Sequence, residues 1–205
     1  MQPKAIKQLV QYFQRLPGVG PRQASRFAYA LLDEPPAVTQ AFARALKTLA
    51  EETGRCPACF RAREKASSCR SCSVLQEKTP RIMVVEKDQD VETIEKSGVW
   101  RDSFHITGGT ISPLREDTSL NRRLRGLYER VVSLSNDHKE IEIVMAFAAT
   151  PNGEATERYL EKILDPFRAP KGPVKLTRLG RGLSTGAEIE YADHATLSHA
   201  LKNRK

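Results

Sequence analysis

No stretch of this 205-residue chain approaches the roughly 18 consecutive apolar residues that a membrane-spanning helix needs. Its first residues, MQPKAIKQLVQYFQ, are amphipathic. They lack the continuous apolar block and small-residue cleavage site of a secretory leader, so a soluble, cytoplasmic protein is expected. Cysteine is scarce: four residues, all within positions 56–72. Without a leader the chain is expected to stay in a reducing compartment, which argues against a disulfide framework. Internal repeats and low-complexity segments are missing too. With 40% hydrophobic and 28% charged residues, the composition is that of a folded chain, long enough for one good core or for two or three small domains.

Negative charge is what the first part of the chain has little of. Residues 1–80 carry 13 Lys/Arg against 6 Asp/Glu, an excess of seven, whereas residues 81–205 carry 20 against 19. A basic excess confined to one part suggests a polyanionic partner for that part.

Periodicity then divides the chain. Residues 4–14 predict a helix with Ile6, Leu9, Val10 and Phe13 on one stripe. LPGVGP breaks it, and a second helix, with Pro21 at its first position, runs to about Leu32 over a stripe of Ala24, Phe27, Ala28 and Leu31. DEPP ends that helix, and a third covers about 37–52 with Phe42, Leu46 and Leu49 inward. After the cysteines, RIMVVE reads as a buried strand, DVETIEKS as a helix, FHIT as a strand and SLNRRLRGLYERVVSL as a helix over Leu120, Leu124, Leu127, Val131 and Leu134. EIEIVMAF, GEATERYLEKIL and VKLTRL continue as strand, helix and strand, with AEIEYA as a candidate last strand and HATLSHALK as a final helix. Strands alternating with helices imply a mostly parallel sheet covered on both faces.

Two motifs in the basic part carry chemistry. In LPGVGPRQASRFA, Gly18 and Gly20 let the backbone turn and come close to a ligand, and Pro21 opens a helix whose first N–H groups and positive dipole end favour an anion. Arg22 and Arg26 share one face of that helix. The pattern resembles a helix-hairpin-helix, a sequence-independent binder of the DNA backbone; a plain helix–helix turn is the alternative. In CPACFRAREKASSCRSC, Cys56 and Cys59 form one C-x2-C pair and Cys69 and Cys72 another, nine residues apart. Two such turns complete a tetrahedron of thiolates around one structural Zn2+, a closed site with no catalytic position. Four thiolates on zinc carry a formal −2, so Arg55, Arg61, Arg63, Lys65 and Arg70 are expected to act partly as charge compensation.

VVEKDQD places Glu86 at the carboxyl end of a strand, and EIVMAFAATPNGEATERYL runs strand, loop, helix. This pair of segments resembles the Toprim domain of topoisomerases and primases. Catalytic members hold Mg2+ with a Glu after the first strand and an Asp-x-Asp after a later one, because Mg2+ demands hard oxygen ligands. Aligned on Gly153-Glu154-Ala155, the Asp-x-Asp positions fall on Ala148 and Thr150, so two metal carboxylates are missing. Glu154 remains, and Asn152 occupies a place often acidic.

The order LPGVGPRQASRFA, CPACF and CRSC, a Toprim-like unit, then GLSTGAEIEYADHATLSHAL resembles the RecR family of bacterial recombination mediators over nearly the whole chain, and FHITGGTISPL is similar to that family's segment. The resemblance implies an α/β protein with an N-terminal helical hairpin unit (1–54), a small C4 zinc module (55–79), a Toprim-like, mostly parallel sheet (80–175) and a C-terminal strand-and-helix segment for oligomerisation (176–205). It implies a ring-forming homo-oligomer, tetramer or dimer, that binds single-stranded, double-stranded or gapped DNA. It also implies action with RecO, and RecF where present, to load RecA onto gaps coated by single-strand-binding protein. Carried over by position, DNA contact falls on Gly18, Gly20, Arg22 and Arg26, the zinc ligands on Cys56, Cys59, Cys69 and Cys72, and partner contact on Glu86, Asn152 and Glu154. The chain departs from the family at Asn152 and in REDTSLNRR, where the family's loop is richer in Gly and Pro.

GRGLSTG resembles a phosphate loop but lacks the Lys-Ser/Thr of a Walker A motif, and reads as a connection. His105 is expected to be packed or on the surface rather than catalytic, Trp100 and Phe104 in a core or interface, and the RRLR run at 122–125 on a solvated face. The leading expectation is thus a non-enzymatic DNA-binding mediator. A Toprim-type Mg-dependent phosphoryl-transfer enzyme is the alternative, and a zinc-stabilised interaction protein with no DNA role a third reading.

Overall fold

Proline and glycine set the limits of the first helices. The computed structural model describes residues 2–74, 79–113 and 117–204. Leu114 at the end of FHITGGTISPL, Arg115 and Glu116 at the start of REDTSLNRR, and 75–78 of the expected zinc module lie outside the described residues. The chain divides into two units, Met1–Gly54 and Arg55–Lys205.

In the first unit, α1 (Lys4–Phe13) and α2 (Pro21–Asp33) form a hairpin, and α3 (Pro36–Glu52) follows a Pro-Pro step. Ile6, Ala24 and Ala28 are buried, and the Phe13 and Phe27 rings meet edge to face at 5.7 Å. Two expectations fail here. Phe27 remains 38% exposed outside that ring contact, and α3 has no buried residue: Phe42, Leu46 and Leu49 are 40%, 52% and 59% exposed. The apolar stripe exists on α3, and Phe42 faces the groove of Phe13 and Phe27, but none of the three residues is buried.

The second unit holds a four-stranded parallel sheet in the order β4-β3-β5-β6, with β3 Arg81–Val85, β4 Ser103–Ile106, β5 Ile141–Ala146 and β6 Val174–Arg178. Ile82 pairs with both Ser103 and Ile143, and Ile143 with Leu176, so the register runs through the whole sheet. The crossovers are α5 (Asp88–Ser97), α6 (Thr118–Asp137) and α7 (Pro151–Leu164). Leu120, Leu124, Leu127 and Val131 of α6 and Leu160 and Leu164 of α7 cover one face, against Ile82, Val84, Ile143 and Met145. On the other face, Val91 of α5, Trp100 and Phe60 pack on Met83, Val85, Val144, Phe104 and Ile106. Trp100 and Phe104 are therefore core. AEIEYA is not a strand: Ile189–Tyr191 forms a 3-10 turn whose Ile189 and Tyr191 are exposed, so the sheet's last strand is β6, and the chain closes on α8 (His194–Lys202). Of the RRLR run, Arg122 and Arg125 are solvated, but Leu124 is core and Arg123 lies over the Phe60 ring at 5.6 Å.

His105 on β4 is fully buried. Its Nε2–H donates to the Arg123 carbonyl at 2.9 Å, and Nδ1 has no hydrogen-bond partner among the described residues. Burial, reinforced by the charge of Arg130, pushes its pKa down to about 3. In an unfolded chain the imidazole titrates near ~6.5. Between those values the unfolded chain binds a proton that the folded one does not. Stability therefore rises with pH across the window and is lost as pH falls through it, by up to about 1.4 kcal/mol per pH unit. Urea unfolding followed from neutral to mildly acid pH should show this loss, with a shallower slope for His105→Gln. Proton competition for the thiolates acts in both proteins, so the difference in slope isolates the histidine.

Candidate metal centre and nucleic-acid interface

Short strands β1 (Thr53–Arg55) and β2 (Ala62–Glu64) flank the first cysteine turn. The Cys56 N–H donates to the Arg61 carbonyl at 2.9 Å and the Phe60 N–H to the Cys56 carbonyl at 3.0 Å, which folds Cys56 and Cys59 toward one point. Phe60 takes a left-handed φ of 62°, a strain of about 1–2 kcal/mol for a side chain of its size. Burial of its ring offsets that strain: only 7% is exposed, and a Cβ on Gly126 of α6 would come within 2.8 Å of it. The short helix α4 (Arg70–Ser73) brings in Cys69 and Cys72.

The four sulfurs lie within 4.8 Å of one another, with Sγ–Sγ distances of 3.7 Å for Cys56–Cys72 and 3.4 Å for Cys59–Cys69. No disulfide joins them. A tetrahedron with ~2.3 Å metal–sulfur bonds has edges of about 3.8 Å, so the donor set fits a four-coordinate soft-metal site. Protonation points the same way. Burial opposes ionisation of Cys56, yet the N–H groups of Cys59 and Ala58 hold its thiol at about 7. Cys59 is pushed up, first by the Cys72 thiol beside it and then by burial, and Cys69 is pushed up by burial and by Cys59. Four thiolates cannot coexist here without a divalent cation between them.

Of the cations expected from the motif, Arg61 has its pKa raised first by Glu95 and then by the nearby Cys69 and Cys59, so it compensates the cysteines in part. Arg61 donates two bonds to the Glu95 carboxylate on α5, at 2.7 and 2.6 Å, and holds Glu95 below its ordinary pKa. Arg55 pairs with Asp88, and Arg63 bonds the carbonyls of Glu64, Lys65 and Ser67. The guanidinium that faces all four cysteines comes from α6. Arg130 bonds the Phe104 carbonyl at 2.9 Å and Ser103 Oγ at 2.5 Å; burial lowers its pKa, while the cysteines, Cys72 foremost, hold it up.

The cysteine module also closes the sheet. β4 is an edge strand, and its outward N–H groups need partners. Phe104 N–H donates to Ser71 Oγ at 2.8 Å, and Ile106 N–H to the Cys59 carbonyl at 2.9 Å. Ser71 is the residue between Arg70 and Cys72, and only 2% of it is exposed.

Loops after β3 and β5 leave in opposite directions, which opens a crevice at their carboxyl ends. It holds about 410 Å³ and is lined by Glu86, Lys87, Asp90, Ala146, Phe147 and Ala148 among others. Glu86 meets Lys87 Nζ at 3.3 Å. Asn152 and Glu154 lie outside that lining, in the first turn of α7, where the Thr150 hydroxyl caps Gly153 N–H at 3.1 Å. Glu154 is instead clasped by Arg181 at 2.9 Å, the first cause of its lowered pKa. Glu157, whose side chain is 4% exposed, meets Arg178 at 3.2 Å and Arg181 at 3.4 Å, and Glu161 meets Arg178 at 2.8 Å. Arg181 lies in GRGLSTG, and its carbonyl accepts a bond from Asn203 Nδ2 at 2.7 Å, so it ties α7 to the end of α8. The acidic face of α7 is thus taken up by guanidinium groups from the C-terminal segment.

In the first unit, Gly18 has φ 77°, which favours glycine, and Gly20 precedes α2 with open space where its Cβ would be. No side chain caps α2, and its first turn holds no acid, so the dipole end is not neutralised. Arg22 and Arg26 are exposed and without ion-pair partners among the described residues. Residues 1–32 carry five Lys/Arg and no Asp or Glu.

Arg181→Ala should let the Glu154 carboxyl rise toward its ordinary pKa, with Arg158 still holding it down in part, as measured by NMR titration. It should also speed amide exchange over α8 and destabilise the protein by about 1–3 kcal/mol, because Glu157 loses a buried charged partner. Arg181→Lys, which cannot fork between two carboxylates, should restore only part of this.

Three family models match the chain in succession: RecR, helix-hairpin-helix, over residues 6–50; Toprim domain, over 81–180; and RecR, C-terminal, over 182–205. Among similar proteins is the recombination protein RecR of Treponema pallidum, 36% identical over 201 residues, covering 98% of this chain and 95% of that one. RecR of Dehalococcoides mccartyi is 34% identical over 201 residues (98% and 94%), and RecR of Prochlorococcus marinus 32% over 201 residues (98% and 96%). No helix among the described residues is long and apolar enough to cross a membrane. With a basic hairpin, a four-cysteine centre and a Toprim unit whose Asp-x-Asp positions are Ala148 and Thr150, the chain belongs to the RecR family of DNA-recombination mediators, not to the catalytic Toprim enzymes.

Proposed function

We propose that this protein binds the DNA backbone through Gly18, Gly20, Arg22 and Arg26 and acts with RecO, and with RecF where present, to load RecA onto gapped single-stranded DNA. The observation that carries the reading is the uncapped start of α2. Free amides, a positive dipole end and two unpaired arginines converge there, in a stretch of chain without an acidic residue. Groups of this kind contact phosphates and read no base edges, so binding is indifferent to sequence and accepts single-stranded, double-stranded and gapped DNA.

The four cysteines hold one structural Zn2+ per chain; the ion supplies fixed charge and cross-linking, and no reaction step. Glu86 at the crevice, and Asn152 and Glu154 in the first turn of α7 outside it, serve partner docking. The uncovered apolar faces supply self-association. One is on α3, at Phe42, Leu46 and Leu49; the other is in the C-terminal segment, at Ile189, Tyr191 and Leu201, which are 67%, 79% and 63% exposed. Two distinct faces per chain allow a closed ring, a tetramer in exchange with dimers, and several hairpins on one DNA raise avidity without new contacts. The site of action is the cytoplasm.

Arg22→Ala combined with Arg26→Ala should weaken binding to gapped DNA and reduce the salt slope by about two per subunit, leaving melting temperature and metal content near wild type. Titration of labelled DNA by anisotropy over a range of salt concentrations checks this. Chelation, or Cys69→Ser, should instead destabilise the second unit and speed exchange of the Phe104 and Ile106 amides, while metal analysis of the intact protein gives one zinc per chain.

A further inference from the structure

The phosphate-facing side of α2 carries one residue that backbone binding does not use. A groove of about 570 Å³ runs along this helix, lined by Arg22, Ser25, Arg26, Tyr29, Ala30 and Asp33. Arg22, Arg26, Tyr29 and Asp33 follow one another at helical spacing, so they form one stripe. Tyr29 is 45% exposed, and its hydroxyl has no hydrogen-bond partner among the described residues. Ser25 and Ala30 beside it are small, so the ring stands clear of its own helix. Phe13, Phe27 and Phe42 line a separate groove, which Tyr29 does not enter.

We infer that Tyr29 is a stacking platform for an unpaired base, and that it gives the hairpin a preference for single-stranded DNA. The inference rests on the backbone-binding reading above. Charge fixes the direction of the strand. Phosphates lie at the Arg22 and Arg26 end, and the Asp33 carboxylate at the other end repels them. Tyr29 lies between, ~4.5 Å along the axis from Arg26. A strand held there by its phosphates directs its bases over the tyrosine ring. In a duplex both faces of an internal base are already stacked and its edge is paired, so only a single strand or a strand end offers a free face. Sequence preference stays weak, because every base has such a face. At a gap, the same stripe holds the duplex by its phosphates and the exposed strand by phosphate and base together.

The test uses the full-length zinc-loaded protein, a labelled single-stranded oligonucleotide and a duplex of the same length. Tyr29→Ala should lower single-strand affinity about 5- to 150-fold, the equivalent of ~1–3 kcal/mol for one stacked base, and leave duplex affinity within about twofold. Tyr29→Phe should retain the preference. Solution mass and melting temperature should match wild type. An Ala variant that binds both DNAs as before, weakens both equally, or changes the oligomeric state would overturn the inference. The Arg22→Ala, Arg26→Ala protein is measured alongside. If it loses both DNAs while Tyr29→Ala loses neither, only the stacking role fails; if it keeps both, the backbone-binding reading fails and the stacking role with it.

Discussion

Four thiols held within 4.8 Å cannot all ionise unless a cation lies among them, and much of the second unit is arranged around that constraint. Arg130 reaches in from α6, Arg61 is drawn to Glu95 on α5, and Phe60 enters the core beside Gly126. The same module gives the outer N–H groups of β4 their partners through Ser71 and the Cys59 carbonyl. The four-cysteine module therefore does more than fold a loop. It completes a sheet that would otherwise present an unpaired, apolar edge to other chains.

Between β3 and β5, inside that edge strand, the chemistry has been exchanged. The crevice at the carboxyl ends of β3 and β5 is where an α/β sheet places its ligand, and Glu86 still faces it. Without acids at positions 148 and 150, no divalent ion is held for phosphoryl transfer. The acidic face of α7 is instead neutralised by Arg178 and Arg181. A clasp of this kind binds the C-terminal segment to α7. The proposed DNA contacts lie in the first unit, where Arg22 and Arg26 have no ion-pair partner among the described residues.

Much of this was legible in the residues themselves. The two C-x2-C pairs, the Pro-Gly turn before α2 and the β-branched runs of β3 and β5 depend on local spacing, and local spacing is what a sequence displays. The failures were non-local or external. Arg130 is 58 residues beyond Cys72, and Arg181 is 27 beyond Glu154, so no motif joins them. The stripe of Phe42, Leu46 and Leu49 was readable as apolar, but periodicity cannot tell whether the covering surface belongs to the same chain. AEIEYA alternates like a strand, yet alternation does not supply the neighbour that a strand must pair with. Tyr29 could not be singled out from the sequence, because an exposed aromatic on a helix suggests a role only beside the arginines and the groove around it.

The central claim is that the uncapped first turn of α2 is where DNA meets the protein. Amide hydrogen exchange on the zinc-loaded protein, with and without a gapped duplex in low salt, tests it most directly. Slowed exchange concentrated at Gly18 through Arg26, with the sheet unchanged, is the predicted result. Protection elsewhere, with these amides exchanging as fast as in the free protein, would contradict it.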